Sequence, residues 1–277
     1  MLEVNDIKWR LYQGVLVPDE PPDKEIQITT LQIKYLLKTS GAYFIRWVSD
    51  FDSKEKTEFW YVIKDSSSQL DSLSQNTRHN VRRGLKRCKI EKISAEIVAK
   101  EGYESYIEAF NKYETFIKPE TKEEFEYNIL NKTKNPRWEF WGIWNSDNKM
   151  IGYSINEIFG NSCSYATTKF HPSYLKLYPS DSLFFTMNSY YINDRKMKYI
   201  NDGPRSLSHK TNIQEYFINK FDFRKAYCRI HIYYSPKIKV LVNLFYPFRR
   251  IIGTINLNLM NKLNVLLKHE EIRRSFD

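Results

Sequence analysis

Polar side chains of several chemical types are concentrated in the stretch Lys198–Phe223, KYINDGPRSLSHKTNIQEYFINKFDF. A short strand over Lys198–Asn201 and a helix over about Thr211–Asn219 are predicted on either side of a polar turn. The turn carries a carboxylate, two cations, two hydroxyls and an imidazole, namely Asp202, Arg205, Ser206, Ser208, His209 and Lys210. Loops that follow strands often hold functional side chains, so we expect a proton acceptor or a binding site here. A solvated connection in which Ser208 or Thr211 caps the helix fits the same pattern.

A second chemical feature is a basic helix predicted from Leu70 to Arg87. Six basic residues fall within ten positions and no acidic residue separates them: Arg78, His79, Arg82, Arg83, Lys86 and Arg87. Such a cluster repels itself unless an anion lies nearby, which favours a phosphate-facing helix. A solvated basic face above a narrow buried stripe is the alternative. Under the first interpretation, Arg78, Arg82 and Arg83 are the expected phosphate contacts.

Several elements must position these residues. A helix is predicted over Thr29–Thr39, and an antiparallel hairpin is predicted from Ala42–Val48 and Glu58–Lys64. A strand over Lys89–Ile93 is followed by helices over Glu104–Lys118 and Lys122–Asn131. Three strands then form a meander, and a helix and a final strand flank the opening stretch: Trp138–Trp144, Met150–Phe159, Ser162–Phe170, Leu183–Ile192 and Ala226–Tyr234.

This succession predicts a mixed α/β (α+β) fold, with a mainly antiparallel sheet flanked by helices. We expect an N-terminal α/β extension with a β-hairpin over residues 1–69 and a core over residues 70–235. Residues 236–277 are expected to form a basic helical tail. Within it, apolar residues from Phe248 to Leu267 recur at helical spacing, which predicts an amphipathic helix that packs on the core or on a partner, or lies on an anionic membrane surface through residues 248–268.

Composition limits the class of protein. The 277 residues include 43 Lys and Arg against 33 Asp and Glu, a net charge of +10 that favours an anionic partner. The three cysteines form neither a disulfide framework nor a metal motif, and no metal is expected. The N-terminus shows no signal-peptide pattern and no apolar run is long enough to span a bilayer. We therefore expect a cytoplasmic protein, with peripheral attachment to the inner face of the membrane as an alternative.

Two segments resemble the GNAT acyltransferase superfamily, and more closely its FemAB-like branch. LSQNTRHNVRRGLKRCKIEKI at Leu73–Ile93 is similar to the basic helix that leads into the core of that branch. The run from Tyr165 to Phe223 contains a strand, a helix that begins at a small-residue turn, a strand end with Asp202-Gly203, and a helix that ends in Lys220-Phe221-Asp222-Phe223. The resemblance covers about residues 70–235. It implies a GNAT-like core.

The resemblance implies transfer of an acyl or aminoacyl group from acyl-CoA or aminoacyl-tRNA to an amine on a cell-envelope precursor, a sugar or a small molecule. No covalently bound cofactor is implied, and RNA is a partner only if the donor is aminoacyl-tRNA. In GNAT enzymes a glycine-rich turn at a helix N-terminus binds the pyrophosphate of acyl-CoA. The equivalent turn here is LYPSDSL at Leu177–Leu183, which has no glycine and contains Asp181. Ser180 and Ser182 are its expected donor-binding residues.

Acyl transfer to an amine needs alignment, proton removal and stabilisation of an oxyanion. We predict Asp202 and His209 as proton acceptors, with Glu157 and His171 also considered. Tyr165 and Lys169 lie four residues apart on a strand, so they are predicted to share a face and to donate to an oxyanion. The predicted acceptor-binding residues are Arg205, Ser206, Ser208 and Lys220. Cys163 is a conceivable nucleophile, but a buried packing role is favoured.

Two rival interpretations stay open. One is a non-catalytic module of the same fold that binds an anionic glycan or lipid, which the missing glycines permit. The other is an RNA-binding protein that uses the basic helix at Arg78–Arg87, although no recognised RNA-binding motif is present.

Overall fold

The computed structural model describes residues 2–112, 118–207, 212–255 and 257–276. The chain divides into two compact units. We call them the terminal unit (Met1–Tyr61, Pro204–Asn212 and Lys225–Asp277) and the central unit (Val62–Gly203 and Ile213–Arg224).

The terminal unit is built on a sheet whose strands follow the order β1-β2-β3-β4-β11. Their bounds are β1 Leu2–Val4, β2 Ile7–Tyr12, β3 Val15–Pro18, β4 Phe44–Ser53 and β11 Arg224–Tyr234. Helix α1, Thr30–Ser40, begins at a capping box between Thr29 and Gln32. Its buried residues pack with Trp9, Leu16 and Ile45 of the sheet, so this unit has its own apolar core.

The predicted hairpin of Ala42–Val48 with Glu58–Lys64 is wrong in its pairing. Strand β4 pairs in parallel with β3 on one edge and antiparallel with β11 on the other, so neither edge is free for the segment that follows it. That segment forms β5, Trp60–Lys64, in which the chain passes from one unit to the other. The N-terminal hairpins are formed by β1, β2 and β3 instead. Strand propensity was visible in the sequence, but the partner comes from about 170 residues later in the chain.

The central unit contains the predicted meander, with the predicted bounds. Strands β6 Lys89–Ile93, β7 Trp138–Trp144, β8 Met150–Phe159 and β9 Ser162–Phe170 pair antiparallel in succession. Strand β10, Tyr199–Pro204, lies next to β9 and runs parallel to it. Together these strands confirm the predicted mixed, mainly antiparallel sheet.

In the part of the chain that the structure describes, six α-helices belong to the central unit: α2 Gln75–Arg87, α3 Ala95–Glu101, α4 Tyr103–Phe110, α5 Lys122–Asn131, α6 Pro179–Asn188 and α7 Ile213–Phe221. Helix α2 begins after Ser74, whose hydroxyl caps it, and a 3-10 turn at Leu70–Ser72 replaces the predicted first turn. Helix α3 was not predicted. Residues 113–117 of the predicted helix Glu104–Lys118 lie outside the described residues. Helix α6 begins four residues earlier than predicted and continues as a π-helical turn, Ser189–Asp194.

The C-terminal region is helical, as predicted, but it is not one helix. It comprises α8 Pro236–Phe245, a 3-10 turn Tyr246–Phe248, α9 Arg249–Ile252 and α10 Asn258–Arg274. The apolar spacing from Phe248 to Leu267 is therefore interrupted after Ile252, at Gly253. In the described part of the chain, no helix is both long and apolar enough to cross a membrane.

Candidate active site

The pairing between β9 and β10 ends just before Asp202. The parallel register runs from Tyr199 opposite Ser162 to Asn201 opposite Ser164, and it stops there although both strands continue. The Asn201 side-chain oxygen accepts hydrogen bonds from the Ser164 hydroxyl at 3.2 Å and from the Gly203 backbone N–H at 3.0 Å. These bonds stabilise the last residue pair of the β9–β10 ladder, Ser164 with Asn201. Asp202 is the first residue of β10 after that pair.

Strand β9 contains a β-bulge at the same level. Ala166 is unpaired, because its neighbours along β9 pair with the consecutive residues Ile155 and Asn156 of β8. The partner of Lys169 lies three residues before Asn156, the partner of Tyr165. Since successive side chains of a strand alternate between faces, Tyr165 and Lys169 lie on opposite faces of the sheet. The predicted shared face is wrong, because one extra residue reverses the alternation.

Asp202 has an unusual environment for a carboxylate. It is half-buried, and burial raises the pKa of Asp202 to about 7. Within residues 2–112, 118–207, 212–255 and 257–276, no hydrogen bond or ion pair to its carboxylate is found. A carboxyl group with a pKa near neutrality, at the open end of a strand ladder, has the properties of a general base.

Tyr165 lies on the same face as Asp202, because the preceding residues of the two strands are paired with each other. Burial is the main cause that raises the pKa of Tyr165, and the charge of Asp202 contributes. The Tyr165 hydroxyl donates to Asn188 Oδ1 at 2.8 Å, and its ring contacts Phe184 and Phe217. Because the hydroxyl donates its proton to Asn188, it is not available to a substrate. Tyr165 therefore contributes an apolar ring on the same face as Asp202.

Asp181 is also buried but has two donors. Its Oδ1 accepts hydrogen bonds from Tyr216 Oη at 2.7 Å and from Lys220 Nζ at 2.8 Å. Lys220, predicted as an acceptor-binding residue, therefore holds α7 to the start of α6. The negative charge in the LYPSDSL turn is compensated inside the protein and does not face a donor phosphate.

The two serines of this turn, both predicted to bind the donor, have different surroundings. Ser182 is fully buried, and its hydroxyl donates to the Tyr178 and Pro179 carbonyls, so it is not available to a donor phosphate. Ser180 is half-buried. Tyr178 precedes α6 with φ at 62°, the left-handed conformation that glycine adopts at no steric cost, and it provides no side-chain cap.

Gly84 allows α2 to lie directly against this turn. A Cβ at Gly84 would be 2.6 Å from both Ser182 Oγ and the Tyr178 carbonyl oxygen. The single glycine of the basic helix therefore fixes how closely its arginines approach the beginning of α6.

Of the predicted phosphate-binding arginines of α2, Arg82 is exposed, and Arg78 and Arg83 are half-buried. Arg78 and Arg82 share Asp71, at 3.7 Å and 3.6 Å, and the Asp71 side chain is 84% exposed. Arg83 lies over the Tyr178 ring, with its guanidinium carbon 5.0 Å from the ring centroid. Because exposed ion pairs contribute little free energy, a phosphate can replace Asp71 at small cost.

The predicted acceptor residues after Gly203 belong to the terminal unit. Arg205 donates to the Glu58 carboxylate at 2.8 Å and lies 4.5 Å from the Trp60 ring centroid. Arg205 and Ser206 line an open groove of about 380 Å³ together with Lys268 and Glu271. Ser208, His209 and Lys210 lie outside the described residues.

The remaining candidates are enclosed or paired. Cys163 is fully buried, and burial raises the pKa of its thiol well above the ordinary value, which agrees with a packing role. Glu157 is ion-paired with Arg137 at 3.1 Å, and His171 Nε2 lies 3.4 Å from Glu104. Among the described residues, no group of three or more His, Cys, Asp or Glu side chains is arranged to hold a metal ion.

Sequence reasoning missed a buried polar network beside the site. The Tyr191 hydroxyl accepts from Trp141 Nε1 at 2.9 Å and from Asn156 Nδ2 at 3.2 Å, and it donates to Glu139 at 3.0 Å. The network ties β7 and β8 to the π-helical turn after α6. Its sequence signal was weak, because its polar residues are few and lie in segments rich in apolar residues.

Three solved structures share this architecture. FemX superposes with a TM-score of 0.58 and 11% identity, covering 86% of this chain and 85% of that chain. L-PGS from Bacillus licheniformis gives 0.54 and 11%, covering 85% and 83%. The C-terminal domain of a putative lysylphosphatidylglycerol synthetase from Agrobacterium fabrum gives 0.53 and 9%, covering 86% and 83%.

The sequence matches no protein-family model. It also matches no curated protein. The structural likenesses support the predicted FemAB-like, GNAT-type fold, and at such identities they show the fold alone.

Proposed function

We propose that this protein is an N-acyltransferase in which Asp202 removes the proton from an attacking amine. The observation that carries the proposal is the Asp202 carboxyl at the end of the β9–β10 ladder, which has no partner among the described residues and whose pKa is raised to about 7 by burial. A base with this pKa is half deprotonated near neutrality and accepts a proton readily. The fold shared with FemX and L-PGS, together with the resemblance of the sequence to FemAB-like acyltransferases, supports acyl transfer as the reaction class that this group would serve.

The proposed reaction proceeds by direct attack. The amine nitrogen forms a bond to the ester or thioester carbonyl carbon, and a tetrahedral oxyanion results. Asp202 takes the amine proton as the bond forms, and that proton passes to the leaving oxygen or sulfur when its bond to carbon breaks. The products are an amide and the deacylated donor, and no covalent enzyme intermediate forms.

Aminoacyl-tRNA is the proposed donor, in preference to acyl-CoA. Helix α6 begins with Pro179, which has no N–H, and with a buried Ser182, so few groups remain there for a pyrophosphate. The exposed Arg82 and the half-buried Arg78 and Arg83 of α2 form a basic face that suits a large polyanion. The name of the Agrobacterium protein describes a lysyl group joined to a phospholipid, which supports an aminoacyl group as the one transferred.

The proposed acceptor is an amine on a cell-envelope precursor, an amino sugar or a small molecule, and the reaction is placed in the cytoplasm. Arg205, Ser206 and Ser208 stay predicted acceptor-binding residues, and His209 stays a predicted proton acceptor. Arg205 would have to exchange its ion pair with Glu58 for the acceptor.

The proposal is tested by transfer of a labelled aminoacyl group from a mixture of aminoacyl-tRNAs to a panel of amine acceptors. We expect kcat/KM to rise with pH through about 7, because only the carboxylate form of Asp202 accepts a proton. Asp202→Asn should lower kcat/KM by about 10²–10⁴-fold. Asp194→Asn, an exposed aspartate of the same unit, should leave it unchanged.

Thermal unfolding distinguishes the donors and the rival functions. Aminoacyl-tRNA should raise Tm because it binds the folded state, and acetyl-CoA should not. A shift with acetyl-CoA alone would overturn the choice of donor. Tight, salt-sensitive binding of deacylated tRNA without any transfer would favour an RNA-binding protein, and the absence of any shift or transfer would reject the enzyme.

A further inference from the structure

The helical stretch from Pro236 to Ile252 carries apolar residues on two opposite sides. It consists of α8, the 3-10 turn and α9, which follow one another without an extended residue. On the inner side, Val242 packs with Phe44 and Tyr234, and Ile252 packs with Leu263. The core of the terminal unit is therefore complete without the outer side.

The outer side presents a stripe of exposed apolar side chains, which we call the outer stripe. It consists of Val240, Leu241, Leu244, Phe248 and Ile251, which are 68%, 36%, 62%, 55% and 65% exposed. At about 100° per residue, these five positions fall within an arc of roughly 100° on one side of the stretch. Ile255, Leu257 and Leu259 continue the exposed apolar surface after Gly253. Contiguous exposed apolar surface of this kind marks an interaction site.

The sequence around the outer stripe is basic, although Arg249 pairs with Glu271 of α10 at 3.1 Å. Between Pro236 and His269 the sequence contains six basic residues and no acidic residue: Lys237, Lys239, Arg249, Arg250, Lys262 and Lys268. Lys239 and Arg250 are exposed and lie at one border of the stripe, and Lys237 is exposed within its arc. An apolar stripe that the unpaired charges of Lys237, Lys239 and Arg250 make mainly basic in the described residues matches a surface that is apolar inside and anionic outside.

We propose that the outer stripe docks on an anionic phospholipid surface, where it lies in the plane of the interface. Apolar side chains would enter the boundary between headgroups and acyl chains while Lys237, Lys239 and Arg250 contact the headgroups. Two copies of this chain, joined stripe to stripe, would oppose their basic residues, which disfavours self-association. The apolar spacing of the sequence predicted a membrane-facing surface at residues 248–268. In the structure Leu263 and Leu267 of α10 are buried, so the exposed apolar surface begins earlier, at Val240. The proposal does not depend on the transferase activity.

Vesicle flotation of the full chain tests the proposal. The wild type should float with vesicles that contain phosphatidylglycerol and stay in solution with pure phosphatidylcholine. The variant Leu244→Ser/Phe248→Ser/Ile251→Ser should lose binding to the vesicles that contain phosphatidylglycerol. Lys237→Gln/Lys239→Gln/Arg250→Gln should weaken it by roughly 100-fold, at about fivefold for each basic side chain near an anionic surface.

The matched control is Leu31→Ser/Tyr35→Ser, which removes two exposed apolar side chains from α1 of the same unit. It should float like the wild type. Equal flotation of the outer-stripe variant and the wild type would overturn the proposal. So would a dimer of the wild type in light scattering that the outer-stripe variant abolishes, since that result would assign the stripe to a second copy. Circular dichroism confirms that each variant is folded.

Discussion

Two aspartates of the central unit, Asp181 at the start of α6 and Asp202 within β10, have opposite surroundings. Asp181 is buried, and Lys220 and Tyr216 donate to it. Asp202 is half-buried, and no donor to its carboxylate is found in the described part of the chain. The charge of Asp181 is therefore compensated by Lys220. The Asp202 carboxylate is desolvated and has no compensating donor among the described residues.

The difference separates a structural role from a functional one. A buried charge that is paired and hydrogen-bonded holds elements together, and here it joins α6 to α7. A carboxyl group that is desolvated without a partner reduces stability, and proteins retain such groups where they are used. The sequence indicated Asp202 as a proton acceptor because of its position in a predicted turn. The structure supports the same role because its carboxylate has no partner among the described residues.

The largest stability effect is expected from Lys220→Met. The substitution leaves Asp181 buried with Tyr216 as its remaining donor, so the free energy of unfolding should fall by about 2–4 kcal/mol. This loss is smaller than that for breaking a fully buried ion pair, because the Lys220 side chain is 27% exposed. Urea unfolding measures the change.

Two further variants give this comparison its controls. Lys86→Met, at an exposed position of α2, should change the free energy of unfolding by less than about 0.5 kcal/mol. The double variant Lys220→Met/Asp181→Leu should recover most of the loss, since neither charge is then left alone. A double variant as unstable as Lys220→Met would mean that the carboxylate is not the source of the cost.

Asp202→Asn should have the opposite effect on stability. Burial raises the pKa of Asp202 from 3.8 to about 7, so the folded state binds a proton that the unfolded state releases between these values. The contribution of Asp202 to the free energy of unfolding is therefore greatest below about pH 4 and falls as the pH rises to about 7. Asparagine resembles the protonated form, so the variant should be more stable than the wild type at pH 8, by roughly 1–4 kcal/mol.

The same variant should lose its advantage as the pH falls toward 4, because the wild-type carboxyl is then protonated in both states. Chemical unfolding at pH 8, 6 and 4 measures this trend. A variant that is less stable than the wild type at pH 8 would show that the Asp202 carboxylate has stabilising partners. The combination of higher stability with lost transfer would identify a group kept for function.

Local pattern was sufficient to predict most of the central unit. The meander of β7, β8 and β9 and helix α5 have the predicted bounds, because turn residues and aromatic or β-branched runs mark their ends. The partner of β4 was not predictable in this way. Strand β11 pairs with it across a separation that no local signal records, and the short polar turn DFDSKEK resembled a hairpin loop. The order of helices and strands likewise did not predict that the boundary between the central and terminal units falls between Gly203 and Pro204.

The order of elements predicted a strand end at Asp202. Strand β10 instead continues to Pro204, and its pairing with β9 stops at Asn201, which residue types do not reveal. The bulge at Ala166, which separates Tyr165 from Lys169, leaves no trace in residue types, so the four-residue spacing gave the wrong face. The pairing of Lys220 with Asp181 depends on how α7 packs against α6, which is a tertiary contact between residues 39 positions apart.

Tyr216→Phe offers the smallest and most specific test of the comparison. It removes the hydroxyl that donates to Asp181 at 2.7 Å while the ring keeps its contacts with Phe217 and Phe221. Because Lys220 still pairs with the carboxylate, the free energy of unfolding should fall by only about 1.5–3 kcal/mol, the range for a hydrogen bond to a charged group. In the Lys220→Met background the same change should cost more, since Tyr216 is then the remaining donor. A double-mutant cycle in urea measures this coupling, and strictly additive losses would show that the two donors act on Asp181 independently.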